Sequence, residues 1–483
     1  MHYNPQLNYQ RYQSDLIKIG LEIHCQLTNL ESKLFCSCRA NYREFYPNTN
    51  ICPICVGLPG TLPMLNRKAV EKATTISMAL NCKTPEKIAF FRKNYFYPDL
   101  PKNFQITQYD AYGKTSIGHD GKITIDGKEI RIRRIQIEED PGRLIYEGAS
   151  EKTQITLVDY NRAGTPLVEI VTEPDFENPK QVRIFLNVLV DLLSNLEVSN
   201  PSLDGAMRAD GNVSVEGGNK VEIKNVASFH DLEKALHFEI TRQQSLVERG
   251  IQVLSETRQW DEKRKITVSA RTKEEEQEYR YFLEADIPWV KLNQEHFSKL
   301  RKEMPESISA KRDRFIAKYG IPEQVADVLS SDKYFTDLFE NAYNEKTAKE
   351  IANIITTDLM GLVDTKEKRE KSKLTPQHLR DLANAVISNK ITRISAKTAL
   401  LNMIQSGKSF SAIISEQDLG NVIDESKLLL IIDEVLQEES TALKEVEQKP
   451  ETVNYLVGKV MRKTKGKADP SKTLSILKKK LGM

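Results

Sequence analysis

The sequence predicts an α+β protein in which a mixed α and β N-terminal part precedes a C-terminal part made of helices. Up to about residue 296, short apolar runs alternate with polar residues, and Asp126-Gly127 and Gly217-Gly218 indicate hairpin turns. After Pro288 glycine becomes sparse, and apolar residues recur at helical spacing. A chain of 483 residues is too long for one hydrophobic core, so we expect two to four domains.

The elements expected in the N-terminal part follow from two periodicities. Alternation of apolar and polar residues predicts a strand at 17–27, and recurrence every three or four residues predicts helices at 67–80 and 179–196. Further strands are predicted at 122–137, which holds two strands around a turn, and at 155–158, 167–171, 213–215 and 221–223.

The C-terminal part is a succession of predicted helices. They cover residues 297–302, 311–319, 322–330, 334–344, 347–358, 376–388, 394–405, 428–437, 442–447 and 451–462. The charged stretch 366–373 (KEKREKSK) interrupts this pattern, and we interpret it as a linker.

Composition indicates a soluble protein of a reducing compartment. Hydrophobic residues make up 39% and charged residues 29% of the chain, and no apolar run approaches the roughly 18–20 residues that cross a bilayer. The N-terminal segment lacks a basic stretch followed by an apolar one, so we expect no secretory signal. Four of the six cysteines are clustered in a way that suits a metal, which favours a cytoplasmic location.

The cysteine cluster predicts a zinc site. Cys36 and Cys38 form one close pair, and Cys52 and Cys55 form another. Each pair supplies two thiolates from one turn, and the loop between them allows a tetrahedral Zn²⁺ to be enclosed. The first pair has one intervening residue where two to four are usual, so a disulfide and unligated thiols are the alternatives. A closed site with four cysteine ligands is usually structural, so it indicates how a loop is held.

Acidic residues occur at unexpected places in the predicted strands. Glu22 and His24 lie two residues apart and therefore leave one face of the same strand. Glu169 interrupts a short apolar strand, and the acidic run 138–140 (Glu-Glu-Asp) follows another strand. Carboxylates so placed repel one another unless a cation is near, and Mg²⁺ accepts oxygen ligands of this kind. Strand faces exposed to solvent are the alternative explanation.

The segment 91–99 (FRKNYFYPD) combines cations, hydroxyl groups and aromatic rings. Arg92, Lys93, Tyr95, Tyr97 and Asp99 could together bind a phosphate or a carboxylate. A surface loop with aromatic anchors is the alternative. The sequence lacks a P-loop, a dinucleotide-binding glycine pattern and a hydrolase nucleophile elbow.

The C-terminal end is strongly basic. From residue 451 onward only Glu451 and Asp469 are acidic, and this distribution indicates a nucleic-acid contact or, alternatively, a solvated helix face. The basic residues are Lys459, Arg462, Lys463, Lys465, Lys467, Lys472, Lys478, Lys479 and Lys480.

Long segments of the chain resemble one family. IGLEIHCQL, PNTNICPICVGLPGTLP, FFRKNYFYPDLPKNFQITQYD, IEEDPG, LVDYNRAGTPLVEIVTEPD and NYLVGKVMRKTKGKADP are similar to the B subunits of aspartyl/glutamyl-tRNA amidotransferases, and the resemblance covers nearly the whole chain. It implies a heterotrimer, formed with the A and C subunits, that acts on misacylated Glu-tRNA(Gln) or Asp-tRNA(Asn). The side-chain carboxylate is phosphorylated with ATP, and ammonia taken from glutamine then displaces phosphate.

The resemblance also assigns domains and residues. It implies a cradle domain at 1–296, a helical domain at 297–405 and a YqeY-like tRNA-binding tail at 406–483. Glu22, His24, Glu139 and Glu169 resemble the family's Mg²⁺ site, so Glu139 and Glu169 are the predicted catalytic carboxylates.

Other positions take their expected roles from the same resemblance. Lys93 is expected to be a catalytic cation, and Arg92, Tyr95, Tyr97 and Asp99 are expected near ATP. The four cysteines match the zinc-bearing branch of the family. The tail is expected to bind tRNA through Arg462, Lys463, Lys465 and Lys467. One departure is the stretch 208–212 (RADGN), where the family more often has Cys-Asp-Ala.

Two other functions compete with this interpretation. A non-catalytic RNA-binding module would use the basic tail alone, with the acidic residues in structural roles. A paralogue that pairs with an asparaginase-like partner usually carries an extra inserted domain, and the sequence leaves no room for one before the helical region.

Overall fold

The computed structural model describes residues 17–146, 155–272, 279–417, 425–439, 452–464, 468 and 470–481. The chain folds as two compact units, Met1–Pro305 and Glu306–Met483. In the described residues the first unit combines strands with helices, and the second contains helices. The α+β class is therefore confirmed, whereas the three-domain division at 296/297 and 405/406 stays a prediction.

Strands build most of the first unit. In chain order they are β1 (Ile17–Gln26), β2 (Lys87–Ile88), β3 (Phe91–Asn94), β4 (Phe104–Thr107), β5 (Gly118–Ile125), β6 (Lys128–Glu139), β7 (Arg143–Tyr146), β8 (Thr156–Asp159), β9 (Pro166–Thr172), β10 (Met207–Val215), β11 (Val221–Lys224), β12 (Glu256–Asp261), β13 (Ile266–Thr272), β14 (Phe282–Leu283) and β15 (Val290–Lys291).

Eight of the described strands form the main sheet, in the order β13-β12-β11-β10-β1-β9-β6-β5. Neighbouring strands are antiparallel except β11 and β12, which run parallel. Smaller sheets combine β14-β3-β4, β15-β2 and β7-β8. The hairpin predicted at Asp126-Gly127 joins β5 to β6, and both residues have positive φ (47° and 75°), as a tight two-residue hairpin turn requires.

The helices of the first unit are α1 (Arg67–Ala79), α2 (Pro179–Asn195), α3 (Phe229–Glu248) and α4 (Gln294–Glu303). The first three begin at side-chain caps: Asn66, Asn178 and Ser228 each accept a hydrogen bond from a backbone N–H in the first turn. Such a cap satisfies a donor that the helix itself leaves free, which fixes the residue at which the helix starts.

One face of the main sheet is apolar and shares a core with α1, α2 and α3. Ile19, Leu21 and Ile23 of β1 lie in this core with Phe185 of α2 and Leu236 of α3. Burying each such side chain stabilises the fold by about 1.5–3 kcal/mol. Because successive residues of a strand point to opposite faces, the intervening side chains of the same strands form a second, polar face. We call it the polar sheet face.

The regular secondary structure described in the second unit consists of helices. Its helices are α5 (Ile308–Tyr319), α6 (Glu323–Ser331), α7 (Lys333–Ala342), α8 (Ala348–Asn353), a π-helical segment (Ile354–Leu359), α9 (Met360–Leu362), α10 (Lys366–Lys371), α11 (Pro376–Ile387), α12 (Arg393–Ser406), α13 (Phe410–Gln417), α14 (Glu425–Glu438), α15 (Thr452–Lys463) and α16 (Pro470–Lys480).

Two separate cores hold these helices. Phe315, Phe339 and Leu379 belong to a core built by α5 to α9 and α11 to α13. Ile432 and Leu456 belong to another core, built by α14 to α16. Within the described ranges, no helix combines the length and the apolar character needed to cross a bilayer.

The structure changes the interpretation of 366–373. The stretch starts with the short helix α10, capped by Thr365, whose side chain accepts a hydrogen bond from the N–H of Lys368. Lys368 also pairs with Asp364 at 2.6 Å, four residues earlier, which is a favourable spacing on a helix. The predicted helix 442–447 lies outside the described residues.

Candidate active site and metal centre

The central strands of the main sheet bring three predicted ligands together. Glu22 and His24 lie on β1, and Glu169 lies directly opposite His24 on the antiparallel neighbour β9. His24 Nε2 is 3.7 Å from Glu22 Oε1 and 3.7 Å from Glu169 Oε2. One ligand atom from each of the three residues lies within 4.8 Å of the others, so a single cation could contact all three. The structure thus groups three of the four residues predicted to bind Mg²⁺.

Glu138 is the third carboxylate, and the fourth member, of this group. Its Oε1 lies 3.5 Å from His24 Nε2, and its Oε2 accepts a hydrogen bond of 3.2 Å from the hydroxyl of Thr107. Arg134, on the same strand, reaches Glu169 at 3.5 Å. Glu22, His24, Glu138 and Glu169 together are called the carboxylate cluster below.

Glu139, the predicted ligand, lies apart from this cluster. Its carboxylate forms an ion pair of 2.5 Å with Lys102 and accepts a hydrogen bond of 2.8 Å from the backbone N–H of Ile106. The cause is an irregularity in the pairing of β6 with β9 between Ile132 and Arg134. Such a bulge adds one residue to a strand and exchanges the faces to which the following residues point.

The sequence contains the signal for this bulge. Ile130 and Ile132 are buried in the core, and the next core residues are Ile135 and Ile137. The spacing between core residues is thus three at the bulge, where it is otherwise two. Glu138 therefore follows on the polar sheet face. Geometry favours Glu138 over Glu139 as the carboxylate that joins the cluster.

Mutual electrostatics set the protonation of the cluster. Burial alone would lower the pKa of His24, but the hydrogen bond to Glu169 and the charges of Glu138 and Glu169 raise it to about 8. Burial would raise the pKa of Glu169, but its hydrogen bond to His24 lowers that pKa to about 2. Burial and the charge of Glu169 raise the pKa of Glu138 to about 7 and also raise that of Glu22. A cation bound here would relieve the repulsion among the carboxylates.

Lys93 lies on β3 within an aromatic surrounding close to the cluster. Its ammonium is 4.9 Å from the ring centroid of Tyr279 and 5.7 Å from that of Tyr95. Burial would lower the pKa of Lys93, but the charge of Glu138 and, to a smaller extent, that of Glu169 raise it, so the side chain stays cationic. Burial raises the pKa of Tyr95, which is therefore a neutral phenol.

Tyr279 and Tyr281 also surround Lys93, but the sequence does not predict them as site residues. Tyr281 stacks on Tyr109 with ring centroids 4.0 Å apart, and Tyr279 packs edge-on against Tyr95. They lie far along the chain from Tyr95, and the pairing of β14 with β3, extended by a hydrogen bond from the N–H of Asn94 to the carbonyl of Tyr279, brings the two segments together. No local pattern could have indicated this.

Arg92, Tyr97 and Asp99, the other residues expected near ATP, differ in their exposure and in their hydrogen-bond partners. The guanidinium of Arg92 binds the buried Glu284 through two hydrogen bonds of 2.7 and 2.8 Å, so it is held within the protein. Tyr97 is exposed. Asp99 is partly buried; burial raises its pKa, and its Oδ1 has no hydrogen-bond partner among the described residues. Glu284 thus engages two nitrogens of Arg92, whereas Tyr97 is open to solvent.

The departure at 208–212 has a structural explanation. Arg208 lies opposite His24 on β10 and donates a hydrogen bond of 2.8 Å to Asp140, which is buried directly after β6. Asp140 also accepts a hydrogen bond of 2.5 Å from Gln26. Burial would raise the pKa of Asp140, but the positive charges of Arg208 and Arg162 lower it. Arg208 thereby fixes the end of the strand that carries Glu138.

The four cysteines meet in the loop between β1 and α1. One sulfur atom from each of Cys36, Cys38, Cys52 and Cys55 lies within 4.8 Å of the others, a set that suits a tetrahedral structural metal such as Zn²⁺. All are free thiols, so the disulfide alternative is not supported. The hydrogen bond between Cys36 and Cys55 lowers the pKa of Cys55 and, with burial, raises that of Cys36. This quartet is called the cysteine quartet below.

The predicted tRNA-binding residues are only partly described. Arg462 and Lys463 form the last turn of α15, whereas Lys465 and Lys467 lie outside the described residues. Lys463 pairs with Glu438 of α14 at 2.7 Å. Exposed pairs of this kind are weak and exchange readily with other partners.

Comparisons with known proteins define the class. A model described as the GatB/GatE catalytic domain matches residues 17–298, which include the carboxylate cluster and the cysteine quartet, and a model described as the GatB domain matches residues 337–481. The chain is thus a component of a tRNA-dependent amidotransferase, a ligase-type complex of translation.

Individual relatives agree over nearly the full length. The chain is 46% identical to the aspartyl/glutamyl-tRNA(Asn/Gln) amidotransferase B subunit of Sulfolobus acidocaldarius, over 97% of this chain and 100% of the relative. It is 42% identical to that of Thermotoga maritima and 40% identical to that of Methanococcoides burtonii, each over 96% of this chain and 98% of the relative. The chain belongs to the GatB/GatE family, in the branch of the amidotransferase B subunits.

Proposed function

We propose that this chain, with the A and C subunits, forms a cytoplasmic heterotrimer that amidates misacylated Glu-tRNA(Gln), Asp-tRNA(Asn) or both. A side-chain carboxylate oxygen of the aminoacyl group attacks the γ-phosphorus of ATP, and ADP leaves. Ammonia released from glutamine then attacks the acyl carbon, and phosphate leaves as the amide forms. The supporting observation is the carboxylate cluster, which lies in the part of the chain that matches the catalytic-domain model.

The donor set of the cluster fits Mg²⁺. Glu22, His24 and Glu169 would hold the ion, which would supply charge neutralisation for the transferring phosphoryl group. We assign Glu138 as the additional carboxylate in place of Glu139. Because these residues sit on central strands of an eight-stranded sheet, their positions are fixed by backbone pairing before substrate arrives.

Lys93 is the cation we assign to the substrate. The half-buried side chain places its ammonium near the rings of Tyr95 and Tyr279, where it interacts with the charges of Glu138 and Glu169. A carboxylate or phosphoryl oxygen entering the cluster would meet this ammonium, which would hold the oxygen in place. Tyr97 and Asp99 keep their assignment near ATP, whereas Arg92 is better placed to hold the β3–β14 region through Glu284.

The test compares glutamates inside and outside the cluster. In the reconstituted heterotrimer, Glu138→Gln and Glu169→Gln should each lower ATP-dependent amide formation on charged tRNA by more than about 100-fold, because the transferring charge loses its stabilisation. Both variants should keep tRNA affinity. Glu173→Gln is the matched control, since this partly exposed carboxylate pairs only with Arg133 among the described contacts of its side chain.

The scaffold alternative makes the opposite prediction. A non-catalytic tRNA-binding module would leave the amidation rate unchanged in the Glu138 and Glu169 variants. An unchanged rate in both, with normal complex assembly, would therefore replace the enzymatic proposal with the scaffold function. Repeating the assay with Glu-tRNA(Gln) and Asp-tRNA(Asn) separately identifies the substrate.

Two further parts complete the proposal. We assign the cysteine quartet to structural Zn²⁺, which would join the ends of the loop beside the sheet. The tail helices α14 to α16 are assigned to tRNA, with Arg462, Lys463, Lys465 and Lys467 contacting phosphates. Such contacts give affinities that fall steeply with salt.

A further inference from the structure

Lys33 is a completely buried cation next to the cysteine quartet. Its side chain is among the largest in the protein to be fully buried, and its relative exposure is 0%. Its backbone is held firmly: the N–H of Lys33 donates to the carbonyl of Cys38 at 2.8 Å, and the N–H of Leu34 donates to that of Gly164 at 2.9 Å. The ammonium therefore lies out of contact with solvent, on a backbone that is held on both sides.

The contacts of the ammonium are unusual for a buried charge. Nζ donates a hydrogen bond of 3.0 Å to the backbone carbonyl of Asn50 and lies 3.8 Å from Sγ of Cys55. Within the described part of the chain, no ion pair joins Lys33 to a carboxylate. Burying an ammonium is strongly unfavourable unless a negative charge compensates it, and a carbonyl dipole supplies only part of that compensation.

The cysteine quartet can supply the missing charge. Four thiolates around one Zn²⁺ carry a net charge of about −2, which is itself costly in a buried loop. Cys55 already accepts a second donor, since the backbone N–H of Cys52 points to its sulfur at 3.1 Å. The ammonium and this N–H thus converge on one sulfur of the quartet.

We propose that Lys33 is a positioning residue that compensates the charge of a tetrathiolate Zn²⁺ centre through Cys55. The proposal rests on the proposed zinc occupancy of the quartet. Metal and lysine depend on each other: the metal-bound thiolates make the buried ammonium tolerable, and the ammonium lowers the excess negative charge of the centre. Hydrogen-bonded partners of metal ligands typically contribute 10–100-fold to metal affinity.

A purely structural role for Lys33 is the competing explanation. In that case the ammonium serves only to hold Asn50 and its loop, and its removal costs the same stability whether or not zinc is bound. Charge compensation instead predicts that the cost depends on zinc. With metal bound, removal of the ammonium is destabilising; without metal, it relieves an uncompensated buried charge and is neutral or stabilising.

The experiment uses the full-length chain with Lys33→Met, which keeps length and loses charge. Competition with a chromophoric chelator should show zinc binding weakened 10–100-fold relative to the unaltered chain. The drop in melting temperature on stripping zinc should be smaller in Lys33→Met than in the unaltered chain. Lys311→Met, which removes a buried lysine of the second unit, is the control and should leave both quantities unchanged.

A second variant separates charge from hydrogen bonding. Lys33→Gln keeps an N–H donor for the carbonyl of Asn50 but carries no charge, so it should fold even if the Met variant does not, and it should show the same loss of zinc affinity. Equal zinc affinity in Lys33→Gln and the unaltered chain would overturn the role of Lys33 alone. Less than stoichiometric zinc in the unaltered chain would overturn the zinc proposal itself.

Discussion

The carboxylate cluster and the cysteine quartet are both candidate metal centres, but the protein builds them in different ways. The cluster stands on paired strands, where backbone hydrogen bonds fix each side chain whether or not an ion is bound. The quartet lies on a loop, residues 32–66, most of which is not part of any β-sheet. We therefore expect the centre on the sheet to keep its geometry when its ion is absent, and the centre on the loop to act mainly by holding that loop.

The largest expected effect concerns the ion pair that lies between the two centres. Lys102 binds Glu139 at 2.5 Å, and its side chain fills the space that a Cβ atom at Gly57, two residues after Cys55 of the cysteine quartet, would need. Lys102→Met would leave the carboxylate of Glu139 buried without its cation. We expect a loss of about 3–5 kcal/mol in the free energy of unfolding, measured by urea denaturation. In the double variant Lys102→Met/Glu139→Gln most of this loss should disappear; an equal loss would show that packing, and not charge, is responsible.

The next largest expected effect is a loss of zinc-dependent stability without a loss of catalytic activity. Zinc present at 100 times its Kd stabilises the protein that binds it by about 2.7 kcal/mol. Cys55→Ser should remove most of this stabilisation, seen as a loss of the zinc-dependent rise in melting temperature. At a temperature where the variant is still folded, its amidation rate should stay close to that of the unaltered complex. A rate as low as that of Glu169→Gln under those conditions would contradict the structural role of the quartet.

A smaller expected effect is the pH dependence of Mg²⁺ binding to the carboxylate cluster. The pKa of His24 is raised to about 8, so its proton must leave before the imidazole can bind a metal. Below pH 8, Mg²⁺ affinity should therefore rise with pH by up to about tenfold per unit, and above pH 8 this dependence should level off. Isothermal titration with Mg²⁺ between pH 6.5 and 9 measures it. His24→Asn should reduce the rise, leaving the part that Glu138 contributes through its own raised pKa. A slope unchanged by the substitution would assign the proton to another group.

The smallest effect belongs to the tail. Lys463 is exposed and pairs with Glu438 and Glu434, so replacing it should hardly change folding. If it contacts a tRNA phosphate, Lys463→Ala should reduce the slope of log affinity against log salt by about one. Lys318→Ala, at the end of α5, is a control that should leave the slope unchanged.

The sequence predicts the fold well where one periodicity applies throughout an element. Strand β1 and helices α1 and α2 were expected within one or two residues of their observed bounds, because their apolar residues recur regularly. Charge composition alone does not indicate the short helix in the stretch 366–373: α10 forms because a capping threonine and pairs four residues apart compensate for its lack of an apolar face.

The candidate site was predictable to the extent that it is local. Glu22, His24 and Glu169 stand out because a charged residue in an apolar strand is unexpected. Choosing Glu138 over Glu139 requires knowing that the core-facing positions of β6 change from even to odd numbers. The spacing of its buried isoleucines shows this change. Tyr281 and Arg208 join the site through pairing between distant strands, and a single sequence carries no direct record of such contacts.

The bulge in β6 makes the length of this strand as important as its composition. Glu138 and Glu139 are neighbours along the chain, yet one belongs to the carboxylate cluster and the other binds Lys102 beneath the loop of the cysteine quartet. Removing a single residue between Ile132 and Glu138 would exchange their faces, placing the wrong acid in each location while every side chain type stayed the same. Along this segment the family should therefore accept many substitutions but no insertion or deletion.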